Sequence, residues 1–244
     1  LGALYTEGLF FLFFSLFLYF FKKEKFHLAA IASFFASLTR LIGVFVVVFL
    51  IINLFYLKTK KTKPLPLLIT YLFFPILGLS LYCFYLWQTT GDPLMFLNAQ
   101  PAFGANRSTH LIFLPQVIWR YIKIFFTANF NFQYFVSLFE FFIFWLIFIL
   151  LFLDLKNLLL IKNLKLKIKN YFLFSLSVFS FINLILPSLT GTFSSIPRYS
   201  LFSLSTFVYL ANLKNKLLKL IIIFLFLIFH ILTLGFFSQG YFVS

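Results

Sequence analysis

At every second connection along this chain, an apolar stretch ends in a cluster of lysines. Lys22, Lys23 and Lys25 form the first cluster, and Lys58, Lys60, Lys61 and Lys63 the second. Lys156, Lys162, Lys165, Lys167 and Lys169 form the third, and Lys214, Lys216 and Lys219 the fourth. The alternate connections hold Arg40, Arg107, Arg120 and Arg198, with Lys123 the one lysine among them, which completes the 20 basic residues. A helix needs about 20 apolar residues to cross a bilayer, and lipid admits only segments that satisfy their own backbone. The expected fold class is therefore all-α, a polytopic transmembrane helix bundle. The positive-inside rule places the lysine side in the cytoplasm and the arginine side outside.

Composition excludes the alternatives. The chain is 63% hydrophobic over 244 residues, far more than a soluble domain can cover with polar surface. Its formal net charge of +15 lies mostly in short loops beside apolar runs. Topogenesis and anionic lipid explain such charge without nucleic acid. A single cysteine, Cys83, excludes disulfides and cysteine metal sites. The 43 phenylalanines read as lipid-facing filler from A+T-rich codons. The chain opens on Leu1 beside an apolar run, with no basic n-region of a signal peptide. It is expected to be a fragment lacking N-terminal membrane helices.

The first span covers Gly8 to Phe21. The next apolar stretch, Leu28 to Leu57, has lysines beyond both ends, so one crossing would carry Lys58 to Lys63 outside. Two helices of about 14 residues, roughly 21 Å each, keep both clusters inside. They meet near Thr39 and Arg40 and leave Arg40 below the outer surface. Further spans are expected over 66–88, with a kink at Pro75 and Gly78, and over 134–153, 171–186, 199–210 and 217–237. About eight membrane helices, some short, then make a single domain over 1–244. Residues 89–133 form an external loop. Within it, Leu111 to Phe126 carries Gln116, Arg120 and Lys123 along one face, the pattern of an interfacial amphipathic helix.

Only five acidic residues exist. Glu24 and Asp154 lie among lysines and read as charge balance. Glu140 falls inside a span, where an ionisable group is costly and normally faces the interior; its role is open. Glu7 and Asp92 end helices on the arginine side and are candidates for a general base or for orienting a basic neighbour. Glu7 also suits a helix N-terminus, and Asp92 an ordinary turn in Thr90-Gly91-Asp92-Pro93. Arg40 and Arg198, at one level, suit a bidentate phosphate clamp, or snorkelling to headgroups. His27 and His230 read as structural, and His110 as an outer-loop group able to take part in proton transfer. The chain has no phosphate-cradling glycine loop, His-Glu zinc motif or nucleophile elbow.

Four strings, in order, resemble the PIG-V type mannosyltransferases. Tyr5-Thr6-Glu7 opens an apolar helix; Ala36-Ser37-Leu38-Thr39-Arg40 is followed by Gly43. Thr90-Gly91-Asp92-Pro93 precedes Phe96 and Ala99-Gln100, and Pro197-Arg198-Tyr199 opens a late helix. That family belongs to the GT-C superfamily of polytopic glycosyltransferases. The resemblance implies a GT-C-like fold and transfer of a hexose, typically mannose, from a polyprenyl-phosphate carrier to a lipid or glycan acceptor at the external face. It implies substrate-binding roles for Tyr5, Glu7, Arg40, Asp92, Gln100, Arg198 and Tyr199. The family's catalytic acid lies in the first external loop, upstream of Leu1, so the catalytic residue here is unknown, with Glu7 and Asp92 the candidates. No cofactor is indicated, and a divalent metal stays open. Partners are the donor, the acceptor and membrane lipids, with no nucleic acid. The setting is a bacterial plasma membrane, or the endoplasmic reticulum membrane in a eukaryote. Two rival readings are a transporter or lipid flippase, which calls for paired broken helices at the midplane, and a non-catalytic scaffold, which needs no arginines gathered on one face.

Overall fold

The computed structural model describes residues 6–60, 65–104, 107–160 and 168–238. Tyr5, Lys61, Lys63, Lys162, Lys165 and Lys167 lie outside the described residues. Among the described residues the chain is helical, without strands. The helices are α1 (Glu7–Lys22), α2 (Phe26–Thr39), α3 (Val46–Lys60), α4 (Leu65–Thr90), α5 (Met95–Asn98) and α6 (Leu114–Thr127), followed by α7 (Phe132–Leu160), α8 (Ile168–Ser188), α9 (Ile196–Ser200), α10 (Leu204–Ala211) and α11 (Lys216–Ser238). Two 3-10 turns, Leu41–Phe45 and Gln100–Phe103, complete the order. Four helices, α4, α7, α8 and α11, are long and apolar enough to cross a membrane, which fits an integral membrane protein. The chain forms two compact units, residues 1–100 with 161–182, and residues 101–160 with 183–244.

In the first unit, α1 and α2 are joined by Lys23, Glu24 and Lys25, with Glu24 in the left-handed region at φ 58°. Phe10, Phe14, Phe17 and Phe21 recur at helical spacing along one buried stripe of α1. Phe14 stacks on Phe179 with ring centroids 4.5 Å apart, while Phe21 and Phe49 both reach Phe172. The Phe14-to-Phe21 direction along α1 thus matches Phe179-to-Phe172 along α8, so those helices run antiparallel. The expectation that the phenylalanines merely face lipid is corrected here. Phe10, Phe14, Phe17, Phe49 and Phe179 are fully buried, because between helices that are equally content in lipid, close aromatic packing is what supplies attraction.

The 28–57 stretch breaks where the two-helix reading puts the break. Arg40 leaves α2 in an extended conformation (φ −150°, ψ 141°), and the 3-10 turn follows. Gly43 returns against α2 so closely that a β-carbon would lie 2.5 Å from the Ala36 carbonyl carbon and the Ser37 nitrogen. Only hydrogen fits there, which gives the Arg40-to-Gly43 spacing a steric cause. The facing side of α2 is made of small buried residues, Ala29, Ser33, Ala36 and Ser37, the surface that lets helices approach in lipid. α4 runs unbroken through Pro75 and lies parallel to α2. Tyr71 meets His27 at 3.3 Å near one end, and Gly78, expected at a kink, packs on the Phe34 carbonyl further along. Tyr71, His27, Phe21 and Phe172 therefore mark the end of this unit that holds Lys22 and Lys25. Glu7 and Arg40 mark the opposite end.

In the second unit, α6 buries Val117 and Tyr121, one turn apart. It starts at Leu114 rather than Leu111, because Pro115 occupies the first turn, where a missing N–H costs nothing. α7 extends seven residues past the expected Leu153, to Leu160. The late helix expected over 199–210 is instead two, α9 and α10, parted at Leu201–Ser203. The cause is Asn183, whose side-chain amide donates to the Tyr199 carbonyl at 2.7 Å and to Ser203 Oγ at 3.1 Å. With Tyr199's carbonyl also accepting from Phe202 N–H, the chain tightens and ends the helix.

Gly43→Ala is expected to destabilise the protein by about 1–3 kcal/mol through overpacking, seen as a lower Tm in detergent micelles. Gly235→Ala, at a position with open space around it, serves as the control and should leave Tm unchanged or slightly raised.

Candidate functional site

Among the described residues, polar groups interrupt the apolar interior in both units. In the first unit, Glu7 is the opening residue of α1, where its charge complements the helix N-terminus. Arg40 is the residue at which α2 stops. Arg40 Nη1 lies 2.5 Å from Glu7 Oε1, and both side chains are largely shielded, at 12% and 13% exposure. The pair joins two strings separated by 33 positions in the chain. Its bearing is fixed by the backbone: Thr39 Oγ1 donates to the Ala36 carbonyl at 2.8 Å, and Gly43 N–H donates to the Arg40 carbonyl at 2.9 Å. A carboxylate engaged by a guanidinium at this range orients it, so the geometry favours Glu7 as a positioning group over a free base.

Asp92 sits after α4 in a local turn. Its Oδ1 accepts from Leu94 N–H at 2.8 Å and its Oδ2 from Asn98 Nδ2 at 2.7 Å. Both oxygens thus serve the Gly-Asp-Pro turn, with Gly91 in the left-handed region at φ 75°. Gln100 donates from Nε2 to the Phe96 carbonyl at 2.9 Å, and Phe96 packs on Tyr82. Tyr5 lies outside the described residues. Among the described residues no three His, Cys, Asp or Glu side chains cluster as metal ligands would.

Arg198 and Tyr199 belong to the second unit, on α9. The Arg198 guanidinium carbon stands 5.6 Å from the Tyr199 ring centroid. α9 is preceded by a loop, Leu189 to Ser195, that is gripped from several sides. Ser108 and Ile112 donate backbone N–H bonds to the Thr190 and Leu189 carbonyls, both at 2.8 Å. Arg120 Nη1 donates to the Gly191 carbonyl at 3.3 Å. Gly191 has φ 98°, which strains any side chain, and a β-carbon there would lie 2.7 Å from the same Arg120 nitrogen and displace it. Arg107 Nη2 donates to Ser195 Oγ at 3.2 Å.

Beneath the loop is the carboxylate whose role the sequence left open. Glu140, only 4% exposed, accepts the Tyr121 hydroxyl on Oε2 at 3.0 Å and the Ser195 N–H on Oε1 at 3.3 Å. Tyr121 Oη in turn accepts Phe193 N–H at 2.9 Å and lies 3.0 Å from Thr192 Oγ1. Burial first, and then the neighbouring Glu140 charge, push the Tyr121 hydroxyl above its ordinary range. It stays protonated near neutrality and acts as a donor to Glu140. Tyr121, Thr192 and Ser195 were not among the sequence candidates. The available signal was the coincidence of Glu140 in an apolar helix with Arg120-Tyr121 on an amphipathic one, since a buried carboxylate requires donors.

A double-mutant cycle with Glu7→Gln and Arg40→Gln, read from unfolding in micelles, is expected to give a coupling of about 0.5–3 kcal/mol. Additive single effects would mean that the two side chains do not interact in the folded protein. Compared with protein-family models, with curated proteins and with solved structures, the chain matches none.

Proposed function

We propose that the chain is a GT-C-like membrane glycosyltransferase that moves a hexose, mannose by its resemblance, from a polyprenyl-phosphate carrier to an acceptor at the external face. In this reading the short helices α1, α2, α3 and α10 join α4, α7, α8 and α11 in the bilayer, for about eight membrane helices. The observation that carries it is the Glu7–Arg40 pair. It unites the Tyr-Thr-Glu string with the Thr-Arg-x-x-Gly string at the end of α1 and α2 away from Lys22 and Lys25. A shielded, oriented guanidinium is the group that binds a lipid-linked phosphate and stabilises the charge on it as the glycosyl bond breaks.

The depth of Arg40 supports the same reading. Gly78 packs at the level of Phe34, and α4 continues twelve residues beyond it, about 18 Å, whereas Arg40 is six residues past Phe34, about 9 Å along α2. Arg40 thus lies roughly 9 Å short of the end of α4, recessed from the level of Thr90. In the second unit, Arg198 beside the Tyr199 ring is the pair to which the resemblance gives a substrate-binding role. The acceptor hydroxyl needs a base, a role that the family resemblance gives to an acidic residue of an external loop. Residues 89–133 then line the acceptor side.

Arg40→Ala and Arg198→Ala are each expected to lower sugar transfer by about 100-fold or more, with elution unchanged in both and Tm lowered in Arg40→Ala by the lost pairing with Glu7. Arg40→Lys is expected to restore little, because an ammonium lacks the planar fork. The measurement is transfer from labelled polyprenyl-phosphate mannose in membranes; parental rates in both alanine variants would refute the reading.

A further inference from the structure

We infer that Glu140 is a positioning residue for donor binding: with Tyr121 it locks the 189–195 loop, and through Ser195 it sets the start of the α9 helix that carries Arg198. The inference rests on the proposed glycosyltransferase reading for its link to the donor, and on geometry alone for the lock.

A carboxylate inside an apolar helix demands a function or a full set of partners. Here its two oxygens accept two donors of different origin, a phenol from α6 and a backbone N–H from the residue that precedes α9. Ser195 is held in the left-handed region at φ 68°, a conformation that costs a non-glycine residue free energy and persists only where the surroundings over-determine it. Three contacts do so: Glu140 on its N–H, Arg107 on its hydroxyl, and burial to 1% exposure. Ser195 is also the residue at which α9 begins, because its carbonyl accepts from Tyr199 N–H at 3.1 Å. Arg198 is three residues on. A shift in Ser195 therefore rotates the first turn of α9 and moves the guanidinium with it.

The network has a defined polarity. Tyr121 donates to Glu140 and accepts from Phe193 N–H, and Thr192 Oγ1 accepts from Ser194 N–H at 3.1 Å. Successive backbone N–H groups at 193, 194 and 195 thus end on one tyrosine, one threonine and one glutamate. Glu140→Gln removes the charge that strengthens both bonds, and it keeps both contacts only by turning Oε1 to Ser195 N–H and reversing the phenol toward Thr192 Oγ1. Glu140→Asp keeps the charge but withdraws it by about 1.5 Å, one carbon–carbon bond. Tyr121→Phe removes the same bridge from the other side.

The test uses the 244-residue chain with Cys83→Ser and Ser194→Cys, which places its one thiol on the half-buried loop position. Maleimide labelling in micelles is expected to speed up about tenfold with Glu140→Gln or Tyr121→Phe, the scale of one lost hydrogen bond to a charged group. Glu140→Asp is expected to fall between them and the parent. In transfer assays without the thiol probe, Glu140→Gln is expected to raise KM for the polyprenyl-phosphate donor several-fold and leave KM for the acceptor unchanged. Unchanged labelling in both Glu140→Gln and Tyr121→Phe overturns the lock. Faster labelling with a fall in kcat alone and an unaltered donor KM overturns the link to donor binding. Faster labelling in Glu140→Gln and Tyr121→Phe, with a parent protein that transfers no sugar, refutes the glycosyltransferase reading and upholds the lock.

Discussion

Backbone N–H and C=O groups away from water must find partners within the protein, and this requirement shapes both polar clusters. Helices meet it internally, so the demand falls on the two places where helices stop inside an apolar setting. At Arg40 the turn seals itself with the Thr39 hydroxyl on Ala36 and the Gly43 amide on the Arg40 carbonyl. At residues 189–203 local bonds do not suffice. Glu140, Tyr121, Arg120, Ser108 and Asn183 are recruited from three other segments to hold that stretch. The arginines singled out for function sit at these same breaks, because a break is where polar side chains from different helices are already compelled to converge.

Around the breaks, packing is built from two complementary materials. The small face of α2 and the glycines that meet it allow backbones to touch, while the phenylalanine stripe of α1 fills the space toward α3 and α8. Lipid tails are as apolar as any side chain, so these contacts gain from shape and dispersion instead of escape from water. The same materials set the reach of Arg40. A two-helix return over α2 and α3 is too short to span a bilayer core by itself, and it leaves the guanidinium recessed beside the longer α4.

Glu140 bears on the choice among functional readings. An acidic residue inside a span is a common mark of an ion or proton path. Its two oxygens bind Tyr121 and Ser195, which makes it an anchor for backbone. Glu7 follows a similar logic at the other cluster. The few carboxylates of a strongly basic chain are placed where they orient something else: a guanidinium at Arg40, a loop at Ser195, a turn at Asp92.

The helical class, the run of apolar segments and the break at Arg40 were legible in the residues themselves. They follow from local quantities: apolar length against bilayer thickness, and lysines that will not cross. Within the first unit, Tyr71 beside His27 and Phe172 beside Phe21 bring the lysine-bearing helix ends together. Tertiary structure alone decided which phenylalanines form the core, because nothing in one helix says what will face it. It alone joined Glu7 to Arg40, gave Asp92 to its own turn, split the late helix at Asn183's touch and assigned Glu140 its partners. Each of these depends on groups far apart in sequence meeting at hydrogen-bond range, and pairwise proximity of that kind is a property of the packed chain, not of composition or spacing.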